Sequence, residues 1–433
     1  MTRATVRLWG THIGYVTLAE DQQIAEFEYD RDFLRSGIEV APVRMPLASR
    51  VYRFPELPWK SFYGLPGLLA DSLPDKFGNA IIDTWLATTG RKTESFNVLE
   101  RLCYIGIRGM GALEFKPAIG RGRANSTPIH VTQLVELASE ILTHRSSLAT
   151  VFADRKGEQA VREILRVGTS AGGARAKALV AWNPETNEVR SGQLTAAAGF
   201  EYWLMKFDGV RNNQDKELAD PEGFGAIEYA YYKMAEDAGI SMMPCRLFEE
   251  GDRRHFMTKR FDRTDEGNKW HMQSLAAMTH ADFNSAGAYG YEQAIRVIQD
   301  LELGRDAIEQ QFRRMVFNIV ARNQDDHVKN IAFLMDRKGK WSLSPAFDVT
   351  YSFNPSGDWT STHQMTLNSK RDGFDMGDFE SLGRLARLKQ REAKAMVDEV
   401  QAVVSKWRDY ADEIGVPPGQ RDKIYGVLRL DKF

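Results

Sequence analysis

The sequence predicts an α+β fold of at least two packed units, with a small β-rich domain at the N-terminus and a mainly helical C-terminal part. Three observations lead there. Near the start, Val6 and Leu8 alternate with Thr5, Arg7 and Trp9, and Ala25, Phe27 and Tyr29 alternate with Glu26 and Glu28, the period of half-buried strands. Later the period becomes helical: Ile227, Ala230, Tyr231, Met234 and Ala238 share one face, as do Phe312, Met315, Val316, Ile319 and Val320. Finally, 433 residues exceed the size at which a single hydrophobic core stops growing.

The elements follow in chain order. Residues 4–29 read as short strands, and about 60–120 as loop and helix. There Gly64-Leu65-Pro66-Gly67 and Asp71-Ser72-Leu73-Pro74-Asp75 precede an apolar stretch from Ala80 to Leu86, with Asp75 or Ser72 as the helix cap. Ala118 to Pro128 is polar and breaker-rich, a linker candidate. Val131 to Leu142 reads as helix. After the small-residue run Gly168 to Lys177, Ala178 to Trp182 is apolar, and Tyr202 to Phe207 reads as a buried strand carrying one lysine. Gly239 is placed to end the helix that begins near Ile227. The helix of Phe312 to Val320 runs into Arg322-Asn323-Gln324-Asp325, and strands Ile331 to Met335 and Trp341 to Leu343 flank the turn Asp336 to Lys340.

Bulk composition narrows the function classes. With 43% hydrophobic and 27% charged residues, the chain is an ordinary globular one and not a disordered segment. A net charge of −2 carries no whole-chain signature of nucleic-acid binding, so DNA contact is expected to be partial or through a partner. Cys103 and Cys245 lie 142 positions apart with no metal-ligand spacing, and read as buried small hydrophobes. The opening Met1 to Leu8 lacks the apolar core of a signal peptide, and no run of about 18 apolar residues occurs. A cytoplasmic protein without a membrane span is the expectation.

Phosphoryl transfer needs a carboxylate near the attacking hydroxyl, oxygen ligands for Mg²⁺, and cations or backbone amides on the phosphates. In Asn323-Gln324-Asp325-Asp326-His327-Val328-Lys329-Asn330, Asp325 and Asn330 stand five apart, the kinase catalytic-loop spacing. Eighteen residues beyond Asn330, Asp348 follows Ser344-Pro345-Ala346-Phe347 after a hairpin, where a second metal-binding carboxylate belongs. Each fragment alone also fits a solvated turn; helix, Asp loop, hairpin and second Asp together are far more specific. Ala171, Gly172, Gly173 and Ala174 are small enough to let backbone N–H groups approach phosphate. Lys177 is followed by Ala178, so there is no P-loop signature. Lys206, between Leu204-Met205 and Phe207, needs an anionic partner if buried, either ATP phosphates or a helix carboxylate such as Glu228. Lys259-Arg260-Phe261 follows the strand His255 to Thr258 and by itself reads as a basic strand end and turn; in a bilobal kinase this is where the backbone would meet the adenine between the lobes. No G-x-S-x-G elbow is present, so serine hydrolysis has no support.

These segments resemble the HipA family, the kinase toxins of bacterial type II toxin–antitoxin modules. The resemblance runs through Gly64 to Gly67, Ala70 to Asp75, Gly109 to Phe115, Ser170 to Lys177, Lys206, Lys259 to Arg263, Met272 to Leu275, Asn323 to Asn330 and Pro345 to Asp348, in the family's order. It implies a bilobal protein-kinase-like fold: residues 1–120 as the N-terminal domain with its helical segment, 121–265 as the rest of the N-lobe, and 266–433 as the helical C-lobe. It further implies Asp325 as base, Asn330 and Asp348 as Mg²⁺ ligands, Lys206 on the phosphates, and Ala171, Gly172, Gly173, Ala174, Arg175, Ala176 and Lys177 over the nucleotide. Lys259, Arg260 and Phe261 would form the adenine-side hinge, with His327, Val328, Lys329 and Phe347 close to ATP. Arg175 and Ala176 depart from the family's usual amide and acidic residue, so only their backbone role carries over. Ser170 falls at the family's autophosphorylated serine, with Thr169 as its neighbour and competitor; a phosphate there adds about two negative charges beside those of ATP, enough to eject the loop.

The same resemblance implies a HipB-like helix-turn-helix antitoxin as partner, operator DNA reached through that complex, and an aminoacyl-tRNA synthetase, notably the glutamyl enzyme, as protein substrate. Two other readings share the scaffold. One is a non-catalytic corepressor, against which the intact Lys206, Asp325, Asn330 and Asp348 argue; the other is a small-molecule phosphotransferase.

Overall fold

The computed structural model describes residues 1–119, 128–143, 164, 175–193, 195–210 and 223–430. Strands β1 (Thr2–Leu8) and β2 (Thr11–Leu18) form a hairpin on Trp9 and Gly10, with φ of 50° and 80°. Two positive φ values are what a two-residue hairpin turn needs to match strand twist. β3 (Glu26–Tyr29) and β4 (Val51–Tyr52) extend the sheet on one side, and β5 (Leu113–Lys116) returns to pair with β1, giving the order β4-β3-β2-β1-β5. The alternation seen in the sequence buries Ala4, Val6, Leu8, Val16 and Phe27. β5 lies inside a stretch that reads as loop and helix, because four residues are too few to show a period and the strand is set by pairing Val6 with Phe115.

A second antiparallel sheet has the order β7-β6-β8-β10-β9, from β6 (Lys177–Trp182), β7 (Val189–Ser191), β8 (Glu201–Lys206), β9 (Cys245–Glu250) and β10 (Arg253–Lys259). Its pleat divides the residues cleanly. Ala178, Val180, Trp182, Trp203, Met205 and Met257 join an apolar cluster with helices Lys76–Thr88 and Val131–Thr143. The intervening residues, Lys177 and Lys206 among them, therefore share the opposite face, where the two lysines are direct partners across β6 and β8. Helix Phe224–Asp237 packs on β9 and β10, approaching so closely that a Cβ on Gly225 would stand 2.4 Å from the Arg254 carbonyl oxygen.

The predicted strands after the Asp loop are β12 (Ala332–Met335) and β13 (Trp341–Leu343), to which β11 (His271–Ser274) adds a third strand in the order β11-β12-β13. Beyond them the chain is mainly helical, with Tyr291–Asp300, Arg305–Val320, Met376–Leu385, Gln390–Val404 and Trp407–Ile414 burying Phe312, Phe317, Phe379 and Trp407 completely. One apolar cluster runs from Ala4 and Phe27 of the first sheet to these helices, so the N-terminal sheet is packed onto the C-terminal body. The α+β expectation, with strands first and helices last, holds. Among the described residues no helix is long and apolar enough to cross a membrane.

Candidate active site

Helix Arg305–Val320 ends at Ala321, and Arg322, at φ 57°, turns the chain into the loop 323–330. Two adjacent aspartates there take opposite roles. Asp326 points into the protein and accepts hydrogen bonds from the Tyr291 hydroxyl (2.6 Å), the Gln364 backbone N–H (2.7 Å) and His363 Nδ1 (2.8 Å). Burial alone would raise its pKa, but His363, Tyr291 and Gln364 together hold it below the usual carboxylate range. With Asp326 anchored inward, Asp325 faces outward, its side chain 41% exposed. Trp359 Nε1 donates to Asp325 Oδ1 at 2.7 Å, and Asn330 Nδ2 donates to the Asp325 carbonyl at 2.9 Å. That amide contact leaves Oδ1 of Asn330 as the atom available to a cation.

The β12–β13 hairpin delivers Asp348 to the same place. The Ala346 N–H bonds to Ser241 O at 2.8 Å, and Asp348 itself sits at φ 57°, a left-handed conformation in which Asp is over-represented among non-glycine residues. Its Oδ1 pairs with Lys206 Nζ, which also donates to Glu228 Oε1 at 2.5 Å. Arg175 Nη1 reaches the other Glu228 oxygen at 3.2 Å and stacks over the Phe224 ring. Burial opposes the charge on Lys206, yet Asp348 and Glu228 outweigh it and raise its pKa; burial likewise works against the Asp348 carboxylate, but Lys206 and then Lys177 hold it well below the usual range. Lys177 Nζ lies 4.0 Å from Asp75 Oδ2, and burial pushes its pKa down despite that carboxylate. Asn323, Asp326, His327, Asn330, Phe347 and Asp348 line one cavity.

The structure thus brings together Lys177, Lys206, Asp325, His327, Asn330 and Asp348. Phe261 meets Phe347 with ring centroids 5.3 Å apart, joining the end of β10 to the Asp348 loop. The side chains of Lys259 and Arg260 are committed elsewhere. Lys259 pairs with Glu201 (3.2 Å) and Asp265 (2.8 Å), and Arg260 forks onto buried Asp262 with two bonds of 2.9 Å. Their backbone N–H groups are engaged as well, that of Lys259 with the Pro244 carbonyl at 2.9 Å and that of Arg260 with the Tyr202 carbonyl at 2.8 Å. Val328 is buried in the core and supports the loop from beneath, while Lys329 lies over the Phe283 ring. Thr169, Ser170, Ala171, Gly172, Gly173 and Ala174 lie outside the described residues. Sequence reasoning named Glu228 but missed Trp359, His363 and the second role of Asp75. Two aspartates in a row were a signal that one of them would be buried; Trp359 carries none.

Asn330 Oδ1 and the second oxygen of Asp348 are hard donors of the kind Mg²⁺ takes, and two protein oxygens leave room for the phosphate oxygens that usually complete such a shell. Residues 4–116 match the model of the HipA N-terminal domain, and residues 169–407 that of the HipA-like C-terminal domain. The chain belongs to the HipA family. No curated protein matches it in sequence. Among solved structures it is similar to HipA of Shewanella oneidensis MR-1, solved with HipB and its operator DNA. The TM-score is 0.63 at 13% identity, over 98% of this chain and 94% of that one. At that identity the likeness is one of fold, and the match extends over both the β-rich start and the helical end of the chain.

Proposed function

We propose that this chain is an ATP-dependent serine/threonine protein kinase, the toxin of a type II toxin–antitoxin module. The observation that carries the reading is the chain of contacts from Glu228 through Lys206 to Asp348 beside the loop of Asp325 and Asn330. A strand lysine paired with a helix glutamate, next to a metal-binding aspartate, is the arrangement an active protein kinase must assemble. In this reading Asp325, oriented by the Trp359 indole, accepts the proton of the attacking hydroxyl through its free oxygen. The hydroxyl oxygen bonds to the γ-phosphorus, the bond to the bridging oxygen breaks, and ADP leaves. Lys206 and Lys177 face the phosphates. Mg²⁺, held by Asn330 and Asp348, would supply charge neutralisation on the phosphate oxygens.

Family membership and the likeness to a HipA solved with HipB and operator DNA support the antitoxin and DNA parts of the proposal, to which the protein substrate, the self-phosphorylated residue and the compartment are added as expectations. The partner is a small helix-turn-helix antitoxin, operator DNA is reached through that complex, and the phosphate acceptor is an aminoacyl-tRNA synthetase, the glutamyl enzyme first among them. Ser170 is the self-phosphorylated residue, and the protein works in the cytoplasm. The test is transfer from γ-labelled ATP, with sites mapped by mass spectrometry. Asp325→Asn keeps an acceptor for the Trp359 N–H while removing the base, so transfer should fall by about 100-fold or more. Equal labelling of wild type and variant would refute the assignment.

A further inference from the structure

We infer that Asp75, a residue of the N-terminal unit, is a positioning residue of this same site, holding Lys177 beside Lys206 so that nucleotide phosphates meet two lysines. The inference rests on the kinase reading above and adds to it a role for the segment that precedes the second sheet.

Asp75 caps helix Lys76–Thr88, and one oxygen meets that need, accepting the Gly78 N–H at 2.6 Å. Asn or Ser would cap as well. A full carboxylate buried at this point, with its side chain only 6% exposed, costs free energy that a cap does not require. Its second oxygen lies 4.0 Å from Lys177 Nζ, itself 6% exposed, and although burial raises the Asp75 pKa, Lys177 is the largest influence that favours the carboxylate. Lys177 and Lys206 are cross-strand partners on the cleft face, and like charges opposite one another repel. Lys206 is flanked by Glu228 and Asp348, and Asp75 brings the third carboxylate of the group from the N-terminal unit.

The segment bearing Asp75 is fixed at both ends. Asp71 accepts from the Ser274 backbone N–H at 2.6 Å and from its hydroxyl at 2.8 Å, at the start of helix Leu275–Thr279, which abuts residues Val328–Asn330 of the Asp loop. On the other side Asn79 Nδ2 bonds to the Pro74 carbonyl at 2.9 Å. The Asp71 to Asp75 motif is therefore a brace between the N-terminal unit and the phosphate face, with Asp75 aimed at Lys177.

Asp75→Asn and Asp75→Ser both keep an acceptor for the cap, and Asn, nearly the same shape as Asp, changes little but the charge; a single cooperative melting transition in each variant shows that the fold survives the substitution. Mg·ATP affinity by calorimetry, with KM for ATP and kcat, is measured for wild type, both variants, Lys177→Met and the double variant Asp75→Asn/Lys177→Met. Removing the Asp75 charge should weaken Mg·ATP binding about 5- to 20-fold and raise KM more than it lowers kcat, while the double variant binds no worse than Lys177→Met alone. Wild-type affinity in both Asp75 variants, or losses that add in the double variant, would overturn the inference and leave the kinase reading standing. A wild type that binds no Mg·ATP would overturn both.

Discussion

Replacing Asp326 by Asn changes one oxygen for one nitrogen, yet the surroundings convert that into a large loss. The new amide oxygen can keep the Gln364 N–H. Its nitrogen then faces two donors, the Tyr291 hydroxyl and His363 Nδ1–H. The hydroxyl can turn, although Asn318 Nδ2 already donates to it at 3.1 Å. His363 cannot adapt so cheaply. Its Nε2 accepts from Arg429 Nη1 at 2.8 Å, so moving the ring proton to Nε2 sets two donors against each other. Two hydrogen bonds to a charged acceptor are lost inside the protein, about 1.5–3 kcal/mol each, for a total of about 3–6 kcal/mol. Tyr291→Phe deletes one of them and leaves the carboxylate its other two, so about 1.5–3 kcal/mol is expected. Urea unfolding followed by tryptophan fluorescence should show both midpoints falling in that order, with an unchanged m-value. An Asp326→Asn variant within about 0.5 kcal/mol of wild type, or one less affected than Tyr291→Phe, would show that the buried aspartate does not secure the loop.

Two further perturbations test other joints of the structure. A Cβ on Gly67 would stand 2.3 Å from the Ala277 carbonyl oxygen and 2.6 Å from His280 Cδ2, so Gly67→Ala should cost about 1–3 kcal/mol by forcing the N-terminal unit off helix Leu275–Thr279, and an unchanged melting temperature would contradict that docking. His271 and His280 are pushed down to about 4, both by burial, His280 with help from Arg44. Since their unfolded value is about 6.5, the unfolded chain takes up protons first: stability is complete above about pH 6.5 and declines towards pH 4, by about 3 kcal/mol for each histidine. A urea midpoint that stays flat from pH 7 to pH 5 would refute this.

Much of the fold was legible because it depends on neighbours in the chain. The two-residue alternation of β1 to β3 and the helical stripe from Phe312 to Val320 express which side chains share a face, and hydrophobic burial selects those periods whatever packs against them. The spacing of Asp325 and Asn330, and the placing of Lys206 within an apolar strand, are likewise properties of one short stretch. Only the tertiary structure decided how these groups are held. Asp325 and Asp326 are chemically identical neighbours, and what separates them is that Tyr291, His363 and Gln364 converge on the second while Trp359 meets the first. Four-residue strands such as β5 and β11 exist through partners far along the chain, and Asp75, whose capping role was readable from sequence, gains its place beside Lys177 from a contact about a hundred positions away. Desolvation and charge pairing depend on what surrounds an atom in space, and so the roles of these buried ionisable residues appeared only once the chain was folded.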